Sequence, residues 1–278
     1  MRPLRSLTSI VVLLLSSALS PSSSAELPEL QEKEWFGCFA GFKNSEVRFT
    51  VSTTGELTLE PVYEDGNPRS YIRMPVSWGI EVTMPNGRKG LQTVIPGSLE
   101  SEDEPTDELE RLTLRGKFEG GAEAQLIIEQ KRGTISIGGR ITHNGTYLPE
   151  NIQFQVSARV LNFYGHNEIK LKDDPKAFEA LIIEDLTELK WTNGKRQRLN
   201  SVEPRDMASE EVNGPGIAEV EVSIKAIDRQ FLFEATGDSM ITMSNRQGAA
   251  LHQGMLVNWA PLSGKDPKST ARLAISVE

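Results

Sequence analysis

Ile72, Met74, Val76, Trp78, Ile80, Val82 and Met84 occupy every second position of one stretch, while Arg73, Ser77, Glu81 and Thr83 fill the opposite phase. Successive side chains of a strand point to opposite faces, so this alternation gives one apolar and one polar face only in extended chain. It is the feature that most restricts the fold. Pro75 lies inside the run and has no N–H, which predicts an edge position, a bulge or two shorter strands. Asn86-Gly87 follows, a pair suited to the positive φ angles of a tight hairpin turn.

The same period recurs along most of the chain. Val47, Phe49 and Val51 lead through Thr53-Thr54-Gly55 to Leu57 and Leu59, which reads as a hairpin. Leu112, Leu114 and Phe118 precede Ala122, Ala124, Leu126 and Ile128; Ile135, Ile137 and Ile141 follow. Ile152, Phe154, Val156, Ala158 and Val160 alternate with Gln153, Gln155, Ser157 and Arg159. Val220, Val222 and Ile224 pair naturally with Phe231 and Phe233, and Ala271, Leu273, Ile275 and Val277 finish the chain. The pattern predicts an all-β, antiparallel β-sandwich of about a dozen or more strands. Gly120-Gly121 and Gly138-Gly139 are expected to mark turns or bulges. One segment breaks the rhythm. Asp173-Asp174-Pro175 suits a helix start, and Phe178, Leu181, Ile182, Leu186 and Leu189 share one helical face, predicting one helix over 175–190. The β-branched pair Ile182-Ile183 leaves strand as the alternative for part of it.

Arg2 and Arg5, the apolar run Ile10–Leu15 and the small residues Ser23-Ser24-Ala25 follow the order of a secretory signal peptide. The run is far shorter than the roughly 20 residues of a membrane span, and no longer one follows. Cleavage near Ala25 would deliver residues 26–278 to the periplasm or medium as one large domain without a transmembrane segment. Two loops, 99–110 and 203–216, are the places where it could divide into halves. Without Arg2 and Arg5 the chain holds 28 basic against 39 acidic residues, a net charge of −11. Such a surface repels phosphate backbones, which excludes nucleic acid as a natural partner. Cys38 is the only cysteine, so no intrachain disulfide forms and a buried thiol is the expected role.

No nucleophile elbow, phosphate loop or HExxH helix is present, and no cofactor is implied. The loop 99–110 gathers seven acidic residues without the spacing or glycine of a calcium loop, which reads as solvated surface rather than a metal site. His143, His166 and His252 are too far apart in sequence to read as paired metal ligands. After the 152–160 strand, Tyr164 and His166 offer a possible acid/base pair for a sugar ring, with Arg159 as a charge stabiliser. Trp191 and Trp259 each precede a turn signal and, with Tyr164, are the candidate sugar-stacking residues. Met255, Val257 and Trp259 also share one strand phase, which points to burial instead.

Export, an all-β architecture, aromatics near turns and the lack of an assembled catalytic motif favour a non-catalytic binding or accessory module, with a glycan as its partner. In size and strand density the chain resembles the large carbohydrate-handling β-sandwiches, a resemblance that no motif carries. The alternatives are a polysaccharide lyase or hydrolase using Tyr164, His166 and Arg159, and a cell-envelope structural domain binding proteins through sheet edges.

Overall fold

The computed structural model describes residues 26–69, 71–165, 175–262, 266 and 268–278. Within them the two-residue period becomes strand almost throughout. The strands are β1 (Cys38–Lys43), β2 (Val47–Ser52), β3 (Leu57–Pro61), β4 (Met74–Thr83), β5 (Lys89–Gln92) and β6 (Glu100–Ser101). There follow β7 (Arg111–Lys117), β8 (Ala122–Lys131), β9 (Thr134–Asn144), β10 (Ile152–Val160), β11 (Leu186–Trp191) and β12 (Arg196–Asn200). The last are β13 (Ile217–Ile224), β14 (Arg229–Thr236), β15 (Ser239–Ser244), β16 (Met255–Pro261) and β17 (Arg272–Val277). Two helices accompany them, α1 (Pro175–Glu184) and the single turn α2 (Glu210–Asn213).

Every ladder between strands is antiparallel, and the ladders form two runs. One runs β1–β2–β3–β4–β10–β16–β15, with β5 taking over from β3 along the far half of β4. The other runs β12–β11–β13–β14–β17–β9–β8–β7–β6. A single pair, Ile217 with Ile241, joins them in the ladder. The apolar phases of both runs meet in one buried cluster, which is what makes the architecture sandwich-like.

Aromatic rings occupy the centre of that cluster. Trp78 of β4 stands edge-on to Phe118 at 5.9 Å, and Phe154 of β10 stands edge-on to Trp259 of β16 at 6.4 Å. Phe154 also lies over Gly139 of β9, in the other run; a Cβ there would overlap both its ring and the Gln125 carbonyl oxygen. The Gly138-Gly139 pair is therefore no bulge. It sits in unbroken ladder because Arg272 and the Ala271 carbonyl crowd one face of β9 and Phe154 the other.

The predicted helix is only partly helix. α1 ends at Glu184, and Leu186 and Leu189 belong to β11, which is paired on both edges by β12 and β13. In extended chain Leu189 and Trp191 point into the core, so tertiary pairing decides against local helical spacing. Pro75 fits β4 because the ladder to β10 begins one residue later, at Val76. The acidic stretch 99–110 is stitched down: Thr106 N–H donates to the Phe39 carbonyl, Leu109 N–H to the Gly41 carbonyl, and Leu109 is buried. Cys38 is buried too, which pushes its thiol pKa up. No helix of the described residues is long and apolar enough to cross a membrane.

Two substitutions test this core. Gly139→Val should cost about 1–3 kcal/mol by overpacking, and Trp259→Ala about 3–5 kcal/mol by emptying a large buried volume. Urea unfolding of both variants checks the values; a neutral Gly139→Val would mean that the Phe154–Gly139 contact does not exist.

Candidate functional site

The outward phase of the first run is polar, and at its centre the polar groups bond to one another. Ser157 of β10 lies opposite Asn258 of β16, and Asn258 lies opposite Thr242 of β15. Gln155 Nε2 donates to Ser157 Oγ at 3.1 Å, Ser157 Oγ donates to Asn258 Oδ1 at 2.7 Å, and Asn258 Nδ2 approaches Ser244 Oγ at 3.3 Å. Ser157 is buried and the other three are half-buried. Strand pairing, not local sequence, builds this row, since Ser157 and Asn258 meet across 101 positions of chain.

β10, β15 and β16 end side by side, and the segments flanking those ends enclose a cleft of about 450 Å³. β10 continues into Asn162 and Tyr164, β15 is followed by Arg246 and Ala249, and β16 is preceded by His252 and Gln253. Phe178 of α1 completes the described lining. The Tyr164, Phe178 and His252 rings pack edge to face, with centroids 5.5 Å apart for Tyr164–Phe178, 6.3 Å for Tyr164–His252 and 6.2 Å for Phe178–His252.

Behind the cleft lies a buried polar pair. Tyr164 Oη donates to Asp185 Oδ1 at 2.7 Å, and the Lys225 backbone N–H donates to the same oxygen at 2.8 Å. Burial raises the Asp185 carboxyl above the usual range, while these two donors and His252 pull it back. Burial, followed by the hydrogen bond to Asp185, raises the Tyr164 hydroxyl far above its ordinary value. Its proton is thus committed inward. His252 Nδ1 lies 2.9 Å from the Ser201 carbonyl oxygen, an acceptor only, so Nδ1 carries a proton and points the ring's Nε2 edge away from that bond.

The residues singled out from sequence separate here. Tyr164 lines the cleft, and Arg159 is exposed on the outer face of β10, one residue before its end. His166 lies outside the described residues. Trp191 sits at the far end of β11 from Asp185, is 8% exposed, and donates Nε1–H to the Val212 carbonyl at 2.7 Å. Trp259 is 0% exposed in the central aromatic row. Neither indole offers a ring face to a ligand, because in each case the apolar strand phase outweighs the adjacent turn. Phe178, Arg246, His252 and Gln253 take the place of these two indoles around Tyr164. Sequence reading missed them because only the β10–β16–β15 pairing brings them together. Among the described residues no three His, Cys, Asp or Glu side chains gather in a way that could hold a metal ion.

No protein-family model and no curated protein matches the chain. Solved structures share its fold. Alpha-N-acetylgalactosaminidase NagBb from Bifidobacterium bifidum, in its GalNAc complex, aligns over 86% of this chain and 35% of its own, with 11% identity and a TM-score of 0.51. Its Gal-NHAc-DNJ complex aligns over 86% of this chain and 36% of its own, with 11% identity and the same TM-score of 0.51. A galactose mutarotase-like protein from Lactobacillus casei aligns over 86% of this chain and 98% of its own, with 11% identity and a TM-score of 0.42. This chain thus spans about a third of the length of the first two. The likeness is one of fold, an all-β fold that the galactosaminidase carries as part of a larger chain.

The buried pair yields a test with a definite sign. Because the folded pKa of Asp185 is raised, its contribution to stability is complete below the unfolded carboxyl pKa and is lost as pH rises through the folded value. The Tyr164 hydroxyl offsets that loss by bonding to the carboxylate. Tyr164→Phe should therefore cost about 1–3 kcal/mol near neutral pH and less in acid, as the carboxyl takes up its own proton. Urea unfolding at both pH values checks this, and equal costs would mean that the hydroxyl does not serve the carboxylate.

Proposed function

We propose that the chain is an exported, non-catalytic carbohydrate-binding module. Its ligand lies along the Gln155–Ser157–Asn258–Ser244 row and enters the cleft between Asn162, Phe178, Arg246 and Gln253. The observation that carries this reading is the row itself: neutral amides and hydroxyls, fixed by one another on a half-buried sheet face. A sugar presents donors and acceptors at fixed spacings, and a pre-ordered set of such groups meets them at little entropic cost. The commitment of the Tyr164 proton to Asp185 supports binding over acid/base chemistry, since it withdraws the clearest proton donor from the cleft. A fold held in common with part of a galactosaminidase solved with GalNAc agrees with a saccharide ligand. The Arg2–Ala25 pattern supports export.

Glycan-array screening followed by calorimetry tests the reading. At least one glycan should bind and be recovered unchanged, and Asn258→Leu should weaken it at least tenfold, or about 1.4 kcal/mol, without loss of folding. Binding to no glycan, or consumption of the bound one, would overturn it. N-terminal sequencing of the exported protein should begin close to Glu26; an intact Met1 on a cytoplasmic product would overturn export.

A further inference from the structure

The charge of the cleft runs against that of the whole chain. The sequence carries a formal net charge of −9, and exposed cations elsewhere stand against carboxylates, as in Arg69–Asp65 and Arg196–Glu188. The cleft departs from this. Among the described residues its lining holds Arg246 and His252 and no carboxylate. Arg246 is exposed, and its guanidinium has no ion pair or hydrogen bond with a described residue. Asp185, behind the lining, is buried, and two donors converge on its Oδ1.

Resting on the carbohydrate-binding reading, we propose that the sugar held in this cleft bears a carboxylate, as a hexuronic acid residue does, and that Arg246 receives it. A guanidinium offers a planar fork of N–H donors that matches a carboxylate in two parallel hydrogen bonds. The Phe178 ring, packed edge to face with Tyr164 and His252, gives the apolar side of the sugar a wall. Asn162 and Gln253 supply amides for the hydroxyls. A neutral sugar would leave the guanidinium without its matching acceptor, and an acidic chain has little reason to keep an unpaired cation in a cleft that only neutral ligands enter.

The test is calorimetry of the full exported chain, at one fixed salt concentration, against matched pairs of oligosaccharides. Galacturonic, glucuronic and mannuronic trimers are each compared with the neutral trimer of the same configuration, so that each pair differs only in carboxylate against hydroxymethyl. At least one acidic trimer should bind tenfold or more tighter than its neutral counterpart. Arg246→Ala should erase the difference between acidic and neutral trimers, and Arg246→Lys should recover part of it. Arg88→Ala, at an exposed hairpin turn away from the cleft, should change nothing. Neutral trimers binding as well as or better than acidic ones would overturn the uronate assignment and leave the binding module standing. A preference that survives Arg246→Ala would overturn the assignment to this cleft. Binding of no trimer, acidic or neutral, together with an empty glycan array, would remove both readings.

Discussion

β10 is paired along both edges, to β4 through Ile152–Ala158 and to β16 through Val156–Val160, while its Phe154 ring fills the space above Gly139 in the opposing sheet. These contacts fix the distance between the two layers and the register of the strands that build the outer face. A one-residue slip of β10 against β16 would place Ser157 in the core and Val156 or Ala158 on the surface. The polar row exists because the apolar core does not allow that slip.

The same pairing explains how a cleft can form with so little local signal. β10, β15 and β16 end side by side, so the residues just beyond their ends, Asn162, Arg246, His252 and Gln253, are held as a group by strands rather than by one another. α1 then lays Phe178 against them. Beneath, Asp185 is anchored by Tyr164 and by the Lys225 N–H. Burial of one carboxylate is tolerated because two donors converge on a single oxygen, and among the described residues the cleft lining carries no carboxylate.

Much of the fold was legible in the sequence, because half-burial stamps its period directly on the chain. The Val47–Leu59 hairpin, the Val220–Phe233 hairpin and the long β4 run all stand where the alternation puts them. The errors are equally physical. Leu186 and Leu189 keep helical spacing with Phe178, yet neighbours on both edges draw them into β11. Gly138-Gly139 reads as a bulge until Phe154 and Arg272 are seen against it. Of the residues singled out from sequence, Tyr164 lines the cleft and Arg159 lies within β10 outside it, whereas Trp259 is buried because a turn signal next to a ring says nothing about which face of the sheet the ring takes. Arg246 and His252 lie 13 or fewer residues from Asn258 or Trp259 in sequence, but their grouping with Asn162 depends on a ladder to β10 that no local pattern records.

The central claim, that a saccharide occupies the outer row and the adjoining cleft, is tested most directly by a ¹⁵N NMR titration that resolves side-chain as well as backbone resonances. Saturating glycan should shift the amide side chains of Gln155, Asn162, Gln253 and Asn258 and the Arg246 Nε–H. The buried Trp191 and Trp259 indole N–H signals should stay in place. Shifts confined to another surface, such as the groove beside Val94 and Leu99, or displacement of the two indoles without the row, would contradict the account.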